Sequence, residues 1–416
     1  MKKPLILLFA VPLLCWSALT KPVTETPCRH APAWGFFAHK RINRLAVLTL
    51  PPEMMLFFKP NIDWISDHAV DPDMRRYATK NEAPRHYIDL DQYGRPPFDG
   101  LPRQWVDAMI RYTDVFTVTA GRDTVLLFGA DHALRNAAEN DPAAKTYRNF
   151  FIRQVLPGFY TGSNEIDADS LSSFMTAHGF ASNTSQKVAA AFFEEHLSEH
   201  GILPWHLQKM QRDLTAAFKR RDAKRILRLC ADMGHYIGDA HVPLHTTSNY
   251  NGQKTGQHGI HGFWESRIPE LFADESYDYF VGKPEYLDAT GDFFWQTVLE
   301  SNSMVDSVLS FERALHRSFP SDRQMCPDMR NGTPVLVYCR DYAVAYQEQL
   351  QGMIERRMRA AIHAVSSAWY TAWVDAGQPD LSQMDIPPAT EEEIKEEGEL
   401  KKSYQQGKII GRPEDH

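Results

Sequence analysis

Cysteine is scarce in this chain, five among 416 residues, and the five are not spaced as a metal framework. Cys230 reads as a buried core thiol, while Cys326 and Cys339 are able to pair in an oxidising compartment. Positive charge is not in excess: 45 Lys and Arg stand against 53 Asp and Glu, a formal net charge of -8. That excludes a global basic surface for nucleic acid and leaves room only for a local patch. Long apolar runs are absent beyond the first residues, so no later segment reads as a membrane helix. At the start, Lys2 and Lys3 precede the apolar run Leu5–Trp16, which predicts a secretory signal over 1–18. Leu14 before Cys15 does not fit a lipoprotein cleavage box. The chain is therefore expected to be secreted or periplasmic, with no transmembrane segment in its mature form. Repeats are missing and strand signals are few, which points to an all-α architecture.

Proline and charge divide the chain. Residues 19–33 read as a polar linker or pro-piece, 34–386 as a helical domain, and 387–416 as a charged tail. The tail carries Glu391, Glu392, Glu393, Glu396, Glu397 and Glu399 and is expected to be solvated and in part helical. In the domain, a helix over 34–50 ends at Pro51 and Pro52. Another from Ile62 stops at Asp71, because Pro72 disfavours helical geometry in the residue before it. Residues 101–118 read as helical, 119–182 as an insertion with its own helices, and 187–200 as an amphipathic segment closed by Gly201 and Pro204. Trp205 to Ala240 makes one or two long helices, with the basic run Lys219 to Arg228 on a solvated face. Helices follow over 290–317 and 342–374. In the last, Tyr346, Leu350, Met353, Ile354, Met358, Ile362, Val365, Trp369 and Trp373 recur at three- and four-residue steps, as a core-facing stripe does.

Histidine is plentiful, 17 residues, and several gather between His235 and Glu265. His235 and Asp239 are spaced i, i+4, as are His261 and Glu265, so each pair shares one helix face and can reach one ion. Imidazole and carboxylate suit zinc. Pro243 ends the first helix just before His245, and Gly252, Gly256 and Gly259 mark a connecting loop. Upstream stand Trp34, His39, Asp71 and His86. Taken singly, each has a structural explanation: core packing for Trp34, a surface helix for His39, a turn before Pro72 for Asp71, a structural role for His86. Jointly they make a multi-metal pattern.

The order and spacing of Trp34, His39, Asp71, His86, His235, Asp239, His245, His261 and Glu265 resemble the superfamily that joins zinc-dependent phospholipase C to the single-strand-specific zinc nucleases. The segment HYIGDAHVPLH carries the most specific part of the likeness. The resemblance implies a multi-helix fold around three zinc ions. Asp71, His86, His235 and Asp239 would hold the first, and His245, His261 and Glu265 the second. Trp34, through a freed amine and its carbonyl, would hold the third with His39, and Asp239 would bridge two ions. Without cleavage just before Trp34, the site would hold two. Asp71 and Asp239 would thus sit in the catalytic centre, with Arg75 and Arg76 as candidate charge stabilisers. Tyr87 and Asp89 resemble positions that line the nucleotide-base pocket of the nucleases.

The expected activity is hydrolysis of a phosphodiester. The short step from His245 to His261, and Glu rather than Asp at 265, resemble the phospholipases. The step from Asp71 to His86 resembles the nucleases, so single-stranded nucleic acid is the alternative substrate to phospholipid. A secreted zinc-binding protein without turnover, or a helical interaction module, are the readings of another class.

Overall fold

A computed structural model of the chain describes residues 36–136, 141–179, 188–330, 333–407, 409–410 and 412. The signal over 1–18, the linker over 19–33 and Trp34 lie outside the described residues. The chain is mostly helical, 63% helix and 9% strand, so the all-α expectation holds in its main part while small sheets are added to it. No described helix is long and apolar enough to cross a membrane.

The centre is a bundle in which the helices Phe36–Thr49, Leu203–Arg220, Ala223–Ala240, Thr290–Ser303 and Met353–Asp375 pack on one another. Each has the apolar stripe that a core-facing helix needs. Every member of the Tyr346 to Trp373 stripe is buried. It runs over two helices rather than one, Arg340–Gln349 and Met353–Asp375, because Gln351 and Gly352 both take positive φ and break the chain direction between them. Likewise Trp205 to Ala240 forms two helices, separated at Arg221, which is left-handed. The two approach so closely because both buried faces are long, and their shared core includes Leu207, Leu214, Ile226 and Met233.

Glycine sets one contact that matters for the site. In Ala223–Ala240, a Cβ at Gly234 would lie 1.7 Å from Asn43 Oδ1, and one at Gly238 would lie 2.9 Å from His39 Nδ1. Helix Phe36–Thr49 therefore sits in a groove that only glycine opens, and that approach carries His39 inward.

The segment 101–195 departs from the helical expectation. Within 101–118, helix is confined to Trp105–Arg111, and Thr113–Thr119 forms strand β1. Its residues alternate between buried and half-buried, the period of a strand with one covered face. Strand β2 is Thr124–Phe128, β3 is Glu165–Ile166 and β4 is Val188–Glu195. They make an antiparallel sheet ordered β2-β1-β4-β3, in which Val115 faces Phe193. The described part of 187–200 is thus a strand followed by the short helix Leu197–His200, although its run of alanines favours helix. Pairing with β1 overrides that propensity. The insertion over 119–182 does bring helices of its own, Pro142–Gln154 and Ala168–Ala177 among them. A separate hairpin, β5 (Met325–Arg330) with β6 (Thr333–Tyr338), is closed by the disulfide Cys326–Cys339. Cys230 is buried and unpaired with another cysteine.

Candidate metal centre

Five chain segments converge. His39 comes from Phe36–Thr49, and His235 and Asp239 from one face of Ala223–Ala240, as their spacing requires. His245 stands in the short 3-10 turn that Pro243 begins. His261 and Glu265 lie on one continuous helical run that widens to a π-turn over Phe263–Arg267. Such wide turns recur at functional sites. His86 closes the 3-10 turn Ala83–Arg85, and the chain after it is tied down where Ile88 N donates to His245 O at 2.9 Å.

All these side chains are buried, and they meet. Asp239 is central. Its Oδ2 is 3.0 Å from His86 Nδ1 and 3.4 Å from His235 Nε2, while its Oδ1 is 3.4 Å from His39 Nε2 and 3.8 Å from His245 Nε2. Glu265 gathers the other side, 2.8 Å from His261 Nε2, 3.3 Å from His245 Nε2 and 3.2 Å from His39 Nε2. Three donor groups result, the first two sharing His235: His39 with His235 and Asp239; Asp73 with His86 and His235; and His245 with His261 and Glu265.

Asp73, not Asp71, is the upstream carboxylate of this cluster. Its Oδ1 is 3.6 Å from His235 Nε2 and 3.8 Å from His86 Nδ1. Asp71 is half-buried and accepts from His68 Nδ1 at 2.7 Å instead. The reason is local. Asp71 begins a helix rather than ending one, with Pro72 in its first turn, where proline is tolerated. Two residues along a helix is roughly 200° around it, so only one of the two aspartates can face the cluster. His39 is also grouped with His235 and Asp239, whereas the resemblance set it beside Trp34.

The donor set fits a cation on its own chemistry. Asp73, Asp239 and Glu265 are three carboxylates buried together. Burial, added to by neighbouring positive groups, holds His86 and His235 well below the ordinary imidazole range, so neither supplies charge. Burial pushes the Glu265 carboxyl up, but hydrogen bonds and charge from His245, with hydrogen bonds from His261 and His39, outweigh it and hold the group well below its usual range. Buried anions of this kind are paired or bind metal, because leaving them unpaired in low dielectric is costly. The outer contacts are those of metal-binding histidines as well. His235 Nδ1 donates to Ala69 O at 2.9 Å and His261 Nδ1 to Tyr250 O at 3.2 Å, which aims each Nε2 at the cluster.

No known protein family matches the chain, and no curated protein does either. The reading of this centre rests on its residues.

The two arginines part company. Arg76 is buried, with Nη1 3.7 Å from Asp73 Oδ1. Arg75 turns away, to Asp232 at 3.0 Å and Glu82 at 3.4 Å. It reaches the cluster through Glu82, whose Oε1 is 3.8 Å from His86 Nε2 and also accepts from Tyr236 Oη, and through Tyr236 itself. Behind that wall lies a cavity of about 650 Å³ lined by Arg75, Trp105, Phe159, His206 and Tyr236. It does not open on the metal ligands. Glu82 and Tyr236 carry no sequence motif; only the i, i+4 step from Glu82 to His86 hints at them.

Tyr87 and Asp89 flank the cluster on its other side. Both are buried, and a third residue, Arg412, joins them from the tail. Its Nη1 is 2.8 Å from Asp89 Oδ1, and its guanidinium carbon lies 4.0 Å from the Tyr87 ring centre and 3.6 Å from that of Tyr250. Burial pushes the Asp89 carboxyl up, and the Arg412 charge partly restores it.

Proposed function

We propose that this chain is an exported, zinc-dependent hydrolase of phosphodiester bonds, phospholipase C-like in its substrate. The observation that carries the reading is the buried set of imidazoles and three carboxylates. When bound, clustered zinc supplies an acidified water and neutralises phosphoryl and leaving-group oxygens. The chain's own residues do the rest. Asp239 holds the donor groups in one frame, since its two oxygens face different pairs of histidines. Glu265 positions His245 and His261. Arg76, beside Asp73, adds positive charge where a phosphate would approach.

The slot beside the cluster supports this substrate class. Two tyrosine faces and a carboxylate accept a cation, as the Arg412 guanidinium shows. A phospholipid with a cationic head group meets the same chemistry. Single-stranded nucleic acid is the second reading, favoured by one feature: the guanidinium is flat, and stacking on tyrosine also suits a base.

Hydrolysis tests both. Zinc-loaded protein is expected to release phosphocholine from phosphatidylcholine micelles, to lose this with chelator and to regain it with zinc. Nucleotide release from a single-stranded oligonucleotide without lipid cleavage would make it a nuclease. Full zinc occupancy with neither activity would make it a binding protein.

A further inference from the structure

We infer that the tail is an intramolecular gate, which fills the substrate slot with Arg412 and must leave before substrate enters. This rests on the hydrolase reading only for its consequence, not for the docking.

The tail does not hang free. Thr390 caps helix Glu391–Gln405, with Glu393 bonding back to the cap, and Glu393 accepts from Lys224 Nζ at 2.7 Å. The helix packs against Asp71–Arg75, the helix that carries Asp73. Tyr404 sets its ring 5.1 Å from Tyr77 and 5.7 Å from Phe36. Beyond the helix the chain is pinned to the site itself. Ile410 N donates to Arg76 O, and Arg76 Nη2 donates back to Arg412 O, both at 2.9 Å. Arg412 then turns inward, its side chain only 11% exposed. It bonds Asp89 Oδ1 and Thr247 O, and its guanidinium lies against Tyr87 and Tyr250.

Three walls of that slot are tied to the candidate ligands, by chain adjacency or by a hydrogen bond. Tyr87 follows His86, Thr247 lies two residues past His245, and Tyr250 O accepts from His261. Whatever occupies the slot stands next to the ligands. Arginine presents there a planar cation with several donors, which is the chemistry the slot would recognise in a substrate. The strap is also built to release. No residue of Glu391–Gln405 is buried, and a helix held by so few apolar contacts opens at low cost. Occupancy by a tethered residue acts as a competitor, and it lowers apparent affinity by the fraction of open protein.

The test compares zinc-loaded full-length chain with Arg412→Ala and Arg412→Lys. Calorimetric titration uses two probes, phosphocholine and adenosine 5'-monophosphate, and kinetics use phosphatidylcholine micelles and a single-stranded oligonucleotide. The expected result is that Arg412→Ala binds one probe about tenfold more tightly and lowers KM for the matching substrate by a similar factor, with kcat unchanged, a closed fraction near nine in ten. Arg412→Lys, unable to lie flat on tyrosine, is expected between the two. Hydrogen exchange at the Ile410 amide, slow in the parent, speeds up in Arg412→Ala. Unchanged exchange and unchanged probe affinity would overturn the docking. Weaker probe binding or a lower kcat in Arg412→Ala would overturn the gate and make Arg412 a substrate-binding residue. If no variant hydrolyses anything, the hydrolase reading fails, and probe affinity and exchange alone decide whether the slot is gated.

Discussion

The two halves of the candidate metal centre are built by different means. The downstream half, His235 to Glu265, stands on regular helix and a turn set by Pro243, and spacing alone places its side chains. The upstream half, Asp71 to Asp89, runs through short 3-10 turns and a five-residue helix. There the direction of each side chain depends on how the segment docks on Ala223–Ala240. Asp71 and Asp73 differ by two positions and exchange roles for that reason. A ligand on a long helix is legible from its period; a ligand on an irregular connection is legible only to within a residue or two.

The largest expected effect lies at the joint between the halves. Asp239→Ala removes the carboxylate that faces both, and metal affinity is expected to fall by more than about a hundredfold, since even outer partners of a ligand are worth 10–100-fold. Metal content after dialysis against a weak chelator reads this directly, and a lower melting temperature should accompany it, because metal binding stabilises the folded chain.

Asp73→Ala and Asp71→Ala sharpen the comparison. Asp73→Ala is expected to weaken metal binding by roughly 10–100-fold, of the order a ligand's close partners show. Asp71→Ala removes only a half-exposed bond to His68, worth about 1 kcal/mol or less of stability. Competition with a chromophoric chelator measures both, and equal losses would return Asp71 to the centre.

Gly234→Ala breaks the downstream half through its scaffold. The added methyl meets Asn43 Oδ1, and overpacking of this kind costs about 1–3 kcal/mol, more than the roughly 1 kcal/mol that alanine adds as a helix former. A net drop in the denaturant midpoint is expected. Gly238→Ala, pressing on His39, should weaken metal binding more than it weakens the fold.

A further effect is on pH dependence. His241, one turn of chain past Ile237 in the same helix, donates Nδ1–H to Ile237 O at 2.7 Å, and burial, with Arg357 nearby, holds its ring down at about 3 against an ordinary 6.5. Between those values the unfolded chain binds a proton at this ring that the folded chain does not. Stability therefore falls as pH drops through that window and is not lost through this group above pH 6.5. His241→Gln is expected to flatten the slope of melting temperature against pH over that range, by the equivalent of a few kcal/mol at most. An unchanged slope would assign the acid sensitivity to other groups.

Much of this was written in the sequence. The i, i+4 pairs at His235–Asp239 and His261–Glu265, the break at Pro243, and the core stripe to Trp373 follow from helical period and proline chemistry. His39 and His86 also sit in the cluster, each through contacts far apart in sequence. The sheet was hidden because β4 is rich in alanine and phenylalanine, and only its partner β1 alternates clearly. Asp73 was hidden by Asp71, which has the same chemistry two residues earlier. Arg412 could not be found by spacing at all: it comes from a tail whose acidic run reads as solvated, and only tertiary docking brings it more than 300 residues back to Asp89.

The central claim is that the eight residues His39, Asp73, His86, His235, Asp239, His245, His261 and Glu265 form a zinc centre. Anomalous diffraction at the zinc edge, on purified protein never exposed to added metal, tests it most directly. The expected result is two or more strong peaks among these side chains, with Asp73 rather than Asp71 at the upstream one. Zinc-free protein of undiminished melting temperature, which takes up no zinc on soaking, would contradict it.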